Sequence, residues 1–373
     1  MRRAGKVLTG VDRVELAYLR ALLADGIPLF GLIRSRLGYL LLDEAGLEVV
    51  LPLVSAPDAH VPPEAQKRRT WRIARSHATG RVPPVLLGRM LRKALPPGVA
   101  YVNVGHSNLT ARVLGAIRAM DGRIAVLVHD VIPLDFPEYQ RDGAVQPFAD
   151  MIGRVGAQAD LLIYNSEDTK QKAEAHLPDP PASIVSHLGT ELAVAAPEEL
   201  PAGLPPKGPY FICIGTIEPR KNHAFLLDIW AEMGDEAPGL IIAGSRGWKS
   251  EAVFSCLDAM MPNGPVHEVS GLSDGALAAL VEQSAAVLFP THAEGFGLPA
   301  TEAAGRRIPI IVNDLPVFRE ILGDIPIYAS VSDRYLWKNN IKELAAAWPD
   351  AKKQQAFAPP TWGAHFKTVL RLT

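Results

Sequence analysis

The stretch "AVLFPTHAEGFGLPATEAAG", residues 286–305, holds the parts of one strand–turn–helix unit. An apolar run comes first, and a glycine-rich turn follows it. Pro299 then suits the first turn of a helix, where the donor that proline lacks is not needed. Glu294 lies in the turn and Glu302 about one turn into the helix. The stretch therefore predicts two carboxylates around one helix entrance, at the end of a buried strand.

The same alternation of apolar runs and amphipathic stretches continues along the chain, which predicts parallel sheets covered by helices. Strands are expected over residues 28–35, 101–105, 124–130, 160–165, 183–189, 210–215, 240–244, 266–270, 286–290, 309–312 and 326–330. Helices are expected over residues 11–26, 108–122, 166–177, 223–233, 274–284, 299–307 and 315–322. Ser166 is expected to cap the helix that follows it.

A proline-rich segment divides the chain. Residues 196–209, "APEELPAGLPPKGP", contain five prolines, which disfavour helix and strand alike. We therefore predict an α/β protein with two doubly wound Rossmann-like domains, an amino-terminal one over 1–195 and a carboxy-terminal one over 210–348. Ligands of such sheets bind at the carboxyl ends of the strands, so two facing edges suit a substrate with two parts. Residues 1–13 offer almost no apolar strand, so the first strand is expected to be very short or to lie upstream.

Composition excludes several classes of protein. With 373 residues, 48% hydrophobic and 21% charged, the chain has the composition of a globular protein of roughly two domains. Its two cysteines exclude a disulfide framework and show no metal-binding spacing. No secretory signal opens the sequence and no run of about 18 apolar residues occurs, which predicts a soluble, cytoplasmic protein.

Charge is distributed unevenly along the sequence. Residues 1–190 hold 23 Lys/Arg and 19 Asp/Glu, which leaves 15 and 21 of the totals of 38 and 40 for the remainder. The excess of positive charge lies in residues 67–93, with nine Lys/Arg, no acid and interleaved apolar residues. Such a segment suits the surface of an anionic inner membrane, or is an ordinary solvated face. Nucleic acid is not an expected partner, since the whole chain is not basic.

A second motif, "GTIEPRKNHAFLL" at residues 215–227, predicts a phosphate site. A strand ends at Gly215, and Asn222 is expected to cap the next helix. Arg220 and Lys221 would then lie beside a helix N-terminus, whose free amides and dipole attract anions. The alternative is a solvated pair of cations. A G-x-G-x-x-G turn is missing from this motif, which disfavours a dinucleotide cofactor.

The two glutamates of the opening stretch suit a different ligand. Carboxylates accept hydrogen bonds from neighbouring hydroxyls, which fits a sugar or a ribose better than a phosphate. Gly295 and Gly297 would allow the backbone to approach that ligand closely. Each glutamate could also merely complement the helix dipole.

Together these motifs resemble the retaining glycosyltransferases of family four, which have the GT-B fold. "EGFGLPATE" resembles their Glu-x7-Glu motif, "GTIEPRKNH" their diphosphate loop and "HDVIPLDFPEY" their amino-domain motif. "AGSRGWKS", "GLSDGALAAL" and "PVFREILGD" follow in the same order as in the family. The resemblance extends from about Thr9 to the end and implies that residues 349–373 form a terminal helix that crosses back to the amino-terminal domain.

The resemblance also implies roles for individual residues. Those expected to act at the reacting centre are His129, Arg220, Lys221 and Glu294. Those expected to bind the donor are Gly10, Gly215, Ser245, Arg246, Gly271, Leu272, Phe296, Gly297, Leu298 and Glu302. Among them, Glu302 is expected on the ribose, the backbone amides after Gly295 on sugar and diphosphate, and Ser245, Arg246, Gly271 and Leu272 near the nucleobase. Those expected at the acceptor are Arg13, His106 and Asp130.

The family's reaction proceeds on the front face through an oxocarbenium-like state. The resemblance therefore implies retention without the pair of carboxylates that a retaining glycosidase places around the scissile bond. No Asp-x-Asp triplet occurs in the sequence, so a catalytic metal is not expected, nor is any cofactor beyond the nucleotide sugar.

The sequence thus predicts a hexosyltransferase that resembles bacterial mannosyltransferases of polysaccharide assembly, with GDP-mannose as the leading donor. The expected acceptor is a saccharide or a lipid-linked saccharide, with residues 67–93 on the inner membrane surface. A nucleotide-sugar epimerase or a sugar phosphorylase of the same fold is the first alternative, although no local pattern indicates a pyridoxal-phosphate lysine. A non-catalytic nucleotide-binding partner subunit is the second.

Overall fold

The computed structural model describes residues 8–55, 61–261, 264–349 and 355–371. Its helices are α1 Gly10–Ala24, α2 Glu44–Ser55, α3 Pro63–Ser76, α4 Leu87–Ala94, α5 Ala111–Arg118, α6 Ile132–Asp135, α7 Val145–Gln158, α8 Glu167–Ala175, α9 His223–Met233, α10 Glu251–Ala259, α11 Asp274–Gln283, α12 Leu298–Gly305, α13 Pro316–Leu322, α14 Arg334–Ala347 and α15 Trp362–Val369. Its strands are β1 Gly31–Ser35, β2 Gly38–Leu42, β3 Ala78–Val82, β4 Ala100–Asn103, β5 Arg123–Val128, β6 Leu161–Tyr164, β7 Ser183–Val185, β8 Tyr210–Ile214, β9 Gly239–Ala243, β10 Val266–Val269, β11 Ala286–Phe289, β12 Ile310–Val312 and β13 Ile327–Tyr328.

The carboxy-terminal half is built on one parallel sheet. Its six strands run in the order β10-β9-β8-β11-β12-β13, so the direction of winding reverses between β8 and β11. β8, β11 and β12 are buried along their whole length, which explains their continuous apolar sequences. A reversal of this kind opens a crevice at the carboxyl ends of the two central strands.

The amino-terminal half contains a second parallel sheet, of order β4-β5-β6-β7. Alternate residues of β5 enter two different cores. Ile124 and Val126 pack with α5 and α7, whereas Leu127 packs with Tyr18 of α1. Both faces of this sheet are therefore covered, and the strand order advances in one direction without reversal.

A three-stranded antiparallel sheet, β1-β2-β3, flanks this half and was predicted only in part. The expected strand 28–35 is β1, but β2 and β3 were not predicted. β3 lies inside the basic segment 67–93, which the structure divides into α3, β3 and α4. Leu87, Met90 and Leu91 of this segment are buried in the core. These three apolar residues of the segment are therefore not available to a membrane surface.

Two capping predictions had different outcomes. The Ser166 side chain accepts a hydrogen bond from the amide of Thr169 and caps α8, as predicted. Asn222 does not cap α9 with its side chain. It adopts a left-handed backbone conformation, with φ of 57°. Its side-chain Nδ2 donates to the carbonyl of Pro290 at 3.2 Å. Asn222 therefore connects the loop after β8 to the loop after β11. Of residues 1–13, where a very short first strand was expected, residues 1–7 lie outside the described residues, and α1 already begins at Gly10.

The two halves are connected at the back of the molecule by α15. Its His365 is buried against α1, where Nε2 lies 2.7 Å from the hydroxyl of Tyr18. Nδ1 of the same ring lies 3.1 Å from the carbonyl of His187, so Nδ1 carries the proton and the tyrosine hydroxyl donates to Nε2. This arrangement requires a neutral imidazole. None of the helices in the described part of the chain is both long and apolar enough to cross a membrane.

The neutral imidazole predicts a pH-dependent stability. Burial lowers the pKa of His365 to about 4, against an ordinary 6.5. Between about pH 6.5 and pH 4 the folded state therefore binds fewer protons than the unfolded state. The stabilisation of the fold by neutral His365 is complete well above pH 6.5 and is lost as the pH falls. From about pH 7.5 to about pH 5 the loss is about 2 kcal/mol. His365→Gln should reduce the fall in the urea midpoint between about pH 7.5 and about pH 5. The matched control is His77→Gln at an exposed histidine, and an equal fall in wild type and H365Q would contradict the assignment.

Candidate active site

Two loops meet at the reversal point of the carboxy-terminal sheet. The loop after β8 supplies Arg220 and Lys221, and the loop after β11 supplies Glu294. The ammonium of Lys221 forms an ion pair with one carboxylate oxygen of Glu294. Nη1 of Arg220 lies 3.1 Å from the other oxygen. The structure therefore brings three of the residues that were predicted to act at the reacting centre into direct contact.

The carboxylate of Glu294 is held ionised in this cluster. Only 9% of its side chain is exposed. Burial raises the pKa of Glu294, but Lys221 and Arg220 outweigh burial and lower the pKa to about 2. A buried charge is stable only when it is paired and hydrogen-bonded, and both conditions are met here.

Arg220 has further acidic neighbours. Its Nε donates to Glu218 at 2.7 Å and its Nη1 to the carbonyl of Ala293 at 2.9 Å. Burial lowers the pKa of Arg220, but the charges of Glu294, Glu218 and Asp130 raise it above its usual value. Glu218 was not predicted as a site residue, although it lies in the quoted loop only two positions before the arginine. An acidic residue so near a candidate phosphate ligand was the signal that could have identified it.

Gly215 gives Lys221 its position. Its φ of 137° is a conformation that side chains rarely adopt, and a Cβ there would lie 3.1 Å from the lysine chain. The backbone turn after β8 thus allows the ammonium to lie over the strand end.

Helix α12 begins beside this cluster. Gly297, with φ of 86°, precedes its first turn, and Pro299 occupies that turn. The amides of Phe296, Gly297 and Leu298 donate no hydrogen bond within the described residues. Phe296 is buried, and Leu298 faces the amino-terminal domain, where a Cβ on Gly10 would lie 3.6 Å from its side chain.

Glu302 forms an ion pair across the cleft. Its carboxylate accepts from the guanidinium of Arg13 on α1 at 2.6 Å. Burial raises the pKa of Glu302, and the opposing charge of Arg13 does not offset it. The neighbouring cavity, bordered by Asp274 and Pro299, measures about 30 Å³. That volume is far below the roughly 300–1,000 Å³ of a typical ligand pocket, so little room remains beside the ion pair.

The histidines of the amino-terminal domain lie below the cleft. Nε2 of His129 donates to the carbonyl of Val104 at 2.6 Å, and the ring lies 5.2 Å from that of His106. Burial lowers the pKa of His129, and it lowers the pKa of His106 to about 3, so both rings are neutral. Asp130 extends toward Arg220, and burial raises the pKa of this carboxyl. The expected sugar-facing role of His129 would use only the ring atoms that Val104 leaves free.

Gly295 is a point of close approach between the two domains. Its carbonyl accepts hydrogen bonds from the hydroxyls of Ser166 and Thr169, each at 3.1 Å. A Cβ on Gly295 would lie 2.2 Å from the carbonyl oxygen of His129. Glycine is required here because of this contact. The two hydroxyls were not predicted as site residues, although Ser166 was identified as a cap.

A third contact across the domains involves Glu320 of α13. Its carboxylate accepts from the amides of Glu167 and Asp168, at 2.7 and 3.1 Å, and from Nε2 of His187 at 2.9 Å. Burial raises the pKa of Glu320, but His187 and the two amides outweigh burial and lower the pKa. A carboxylate from one domain thus binds the N-terminus of a helix in the other.

The residues expected near the nucleobase are not gathered in the cluster. Ser245 is exposed. The guanidinium of Arg246 forms ion pairs with Asp258 at 2.6 Å and Glu268 at 2.7 Å. Gly271 has φ of 76° and Leu272 packs on the core. Their roles in base binding stay predictions.

Known proteins resemble both the sequence and the fold. The family model described as "Glycosyl transferases group 1" matches residues 198–357. The serotype-specific mannosyltransferase WbdA of Escherichia coli is 31% identical over 239 residues, which cover 58% of this chain and 29% of WbdA. The O-antigen chain mannosyltransferase RfbU of Salmonella typhimurium is 31% identical over 147 residues, covering 38% of this chain and 40% of RfbU.

The chain therefore spans less than half the length of these relatives. Among solved structures, Anabaena Alr3699/HepE in complex with UDP and glucose superposes with a TM-score of 0.58 at 14% identity, covering 77% of this chain and 75% of that one. The predicted fold is thereby confirmed. Residues 198–357 thus match the group 1 glycosyltransferase family model, and the chain has the GT-B fold.

Proposed function

We propose that the chain is a retaining, metal-independent glycosyltransferase. It would move a hexose from a nucleoside-diphosphate sugar to a saccharide or lipid-linked saccharide, in the assembly of a bacterial surface polysaccharide. The observation that carries the proposal is the buried cluster of Arg220, Lys221 and Glu294 at the reversal point of a group 1 glycosyltransferase domain. Such a point is where sheets of this order bind nucleotides.

The cations of the cluster suit a diphosphate. A guanidinium binds phosphate oxygens in pairs, while an ammonium adds a compact charge. The start of α12 adds amides without partners in the described chain and the positive end of a helix dipole. Arg220 and Lys221 would stabilise the diphosphate as it departs, which is where negative charge develops in the transition state. This arrangement supports a reaction that needs neither metal nor cofactor.

The carboxylates suit the sugars on either side of that diphosphate. Glu294 would accept hydrogen bonds from hydroxyls of the hexose, and Glu302 from the ribose. Because Arg13 holds Glu302 and the neighbouring cavity is about 30 Å³, the domains must separate before a nucleotide enters. Ligand pockets usually measure about 300–1,000 Å³.

Mannose is the proposed hexose and GDP the proposed nucleotide. The names of WbdA and RfbU, both mannosyltransferases, support the sugar. GDP rests on the resemblance of "HDVIPLDFPEY" and "GTIEPRKNH" to bacterial mannosyltransferases. The acceptor would enter from the amino-terminal domain, between Asp130 and the loop after β11 that supplies Glu294. A lipid-linked acceptor would place the enzyme at the inner face of the membrane.

Thermal unfolding with GDP, UDP, dTDP or ADP should identify the donor. The correct nucleotide adds about 2.7 kcal/mol of stability at 100 times its dissociation constant. Glu302→Gln should weaken that nucleotide about ten- to a hundredfold, since it loses a charged hydrogen bond. Arg13→Gln should retain the nucleotide-induced thermal shift, because Arg13 competes with the nucleotide for Glu302 and its loss leaves Glu302 available. A full shift in E302Q would show that the ribose binds elsewhere.

Lys221→Met should reduce the rate of nucleoside-diphosphate release about a hundred- to a thousandfold, as expected for loss of one group that stabilises transition-state charge. Lys338→Met is the matched control, since Lys338 of α14 also pairs with a carboxylate, that of Glu232 of α9, but lies outside the cluster. A wild-type turnover rate in K221M would show that Lys221 does not stabilise the transition state.

The stereochemical outcome can be checked by proton NMR of the product formed from an α-linked nucleotide sugar. We expect an α-glycoside and a rate that a chelator leaves unchanged. A β-glycoside would exclude retention, and consumption of the donor without acceptor would indicate an epimerase.

A further inference from the structure

The outer surface of the amino-terminal domain carries a second constellation of charge, remote in sequence from the cluster at the sheet reversal. Helix α3 borders an open groove of about 570 Å³ that surrounds Trp71. An adjoining groove of about 630 Å³ shares Trp71 and Arg75 with it and extends to the turn between β1 and β2. We name this surface the basic face, and it comprises Arg34, Arg36, Arg68, Arg72, Arg75 and Arg81.

These arginines have few counter-charges. Among the described residues, Glu64 is the only acidic one that borders either groove, and its carboxylate lies 3.5 Å from the ammonium of Lys67. Among the residues that the structure describes, no carboxylate forms an ion pair with the basic face. Arg75 lies 6.0 Å from the ring centre of Trp71, within the range of a cation–π contact. The guanidinium groups are thus free to bind an anion from outside.

Exposed apolar side chains border the basic face. Leu37, at the tip of the β1–β2 turn, is 79% exposed and Val85 is 80% exposed. The two belong to one edge, because the neighbouring Gly38 lies against the chain after β3: a Cβ on Gly38 would be 2.0 Å from the carbonyl of Val82. This edge includes Leu37 and Arg36, which lie outside the segment 67–93 that the sequence indicated.

We propose that the basic face and this apolar edge dock on the surface of a bilayer that contains anionic phospholipids. The guanidinium groups would bind lipid phosphates in forked pairs, and Leu37 and Val85 would enter the headgroup region. The apolar edge favours a membrane over a nucleic acid, whose interfaces are polar and strongly charged. The inference deepens the proposed function, since a lipid-linked acceptor would be carried by the same bilayer, but docking itself requires neither donor nor acceptor.

Vesicle flotation tests the proposal with the full chain and no substrate. We expect binding to vesicles of phosphatidylglycerol and phosphatidylethanolamine, little binding to phosphatidylcholine alone, and weaker binding as salt is raised. The triple variant Arg34→Glu, Arg36→Glu, Arg75→Glu should lower the partition coefficient at least a hundredfold, at about fivefold for each arginine lost. Leu37→Ser with Val85→Ser should remove the binding that persists at high salt.

A matched variant controls for net charge. Arg334→Glu, Lys338→Glu, Lys342→Glu makes the same change in charge on α14 of the other domain, where all three cations already pair with acids. It should retain vesicle binding. The thermal unfolding midpoint of each variant without ligand reports folding, so the test does not depend on the proposed transferase activity.

Three outcomes would overturn docking by this face. The first is wild-type protein that ignores anionic vesicles, and the second is an equal loss in both triple variants. The third is a single-stranded oligonucleotide that competes away the vesicles at equal phosphate concentration, which would assign the basic face to nucleic acid.

Discussion

The burial of Glu294 between Arg220 and Lys221 is the constraint on which the rest of the site depends. Removing three charges from water is costly, and only close mutual contact offsets that cost. The contact holds the loops after β8 and β11 together at the sheet reversal, and it does so before any ligand arrives. Asn222 reinforces the connection through the carbonyl of Pro290. A rigid cation pair at a fixed sheet edge is what the binding of a diphosphate requires.

The same cluster raises a question of charge balance. Two cations face three carboxyl groups, those of Glu218, Glu294 and Asp130, so the cluster has no excess positive charge for a diphosphate while all three carboxyls are ionised. The carboxyls differ in their readiness to give up charge. Burial raises the pKa of Asp130 and Glu218, whereas the pKa of Glu294 is lowered to about 2. Under the proposed function, Asp130 and Glu218 are therefore the carboxyl groups that would take up a proton first when a diphosphate binds. Glu294 would stay ionised and remain an acceptor for sugar hydroxyls.

Sequence patterns predicted the features that follow from burial and from chemical type. The strands β8, β11 and β12 are uninterrupted apolar runs, and the cations and carboxylates of the cluster follow two of them directly. β3 was missed because its sequence, "ATGRV", consists largely of small and charged residues and lies inside a basic segment, so it does not form an apolar run. The ion pairs of Arg246 and the distance of 2.2 Å at Gly295 depend on partners far away in sequence, and no local pattern encodes them. The glycine was predicted, but for approach to a ligand and not to the other domain.

Closure of the cleft connects these separate observations. The amino-terminal domain contacts the carboxy-terminal domain at two places near the proposed donor site: Arg13 binds Glu302, and Ser166 with Thr169 binds the carbonyl of Gly295 in the loop after β11. Under the proposed function a nucleotide would replace the first contact, because a ribose offers hydroxyls to the same carboxylate. The second contact uses a backbone carbonyl that neither sugar nor phosphate needs, so it can form again once the donor is bound. The closed arrangement would then differ between the free and the loaded enzyme mainly at Arg13, which donor binding would release toward the acceptor side of the cleft.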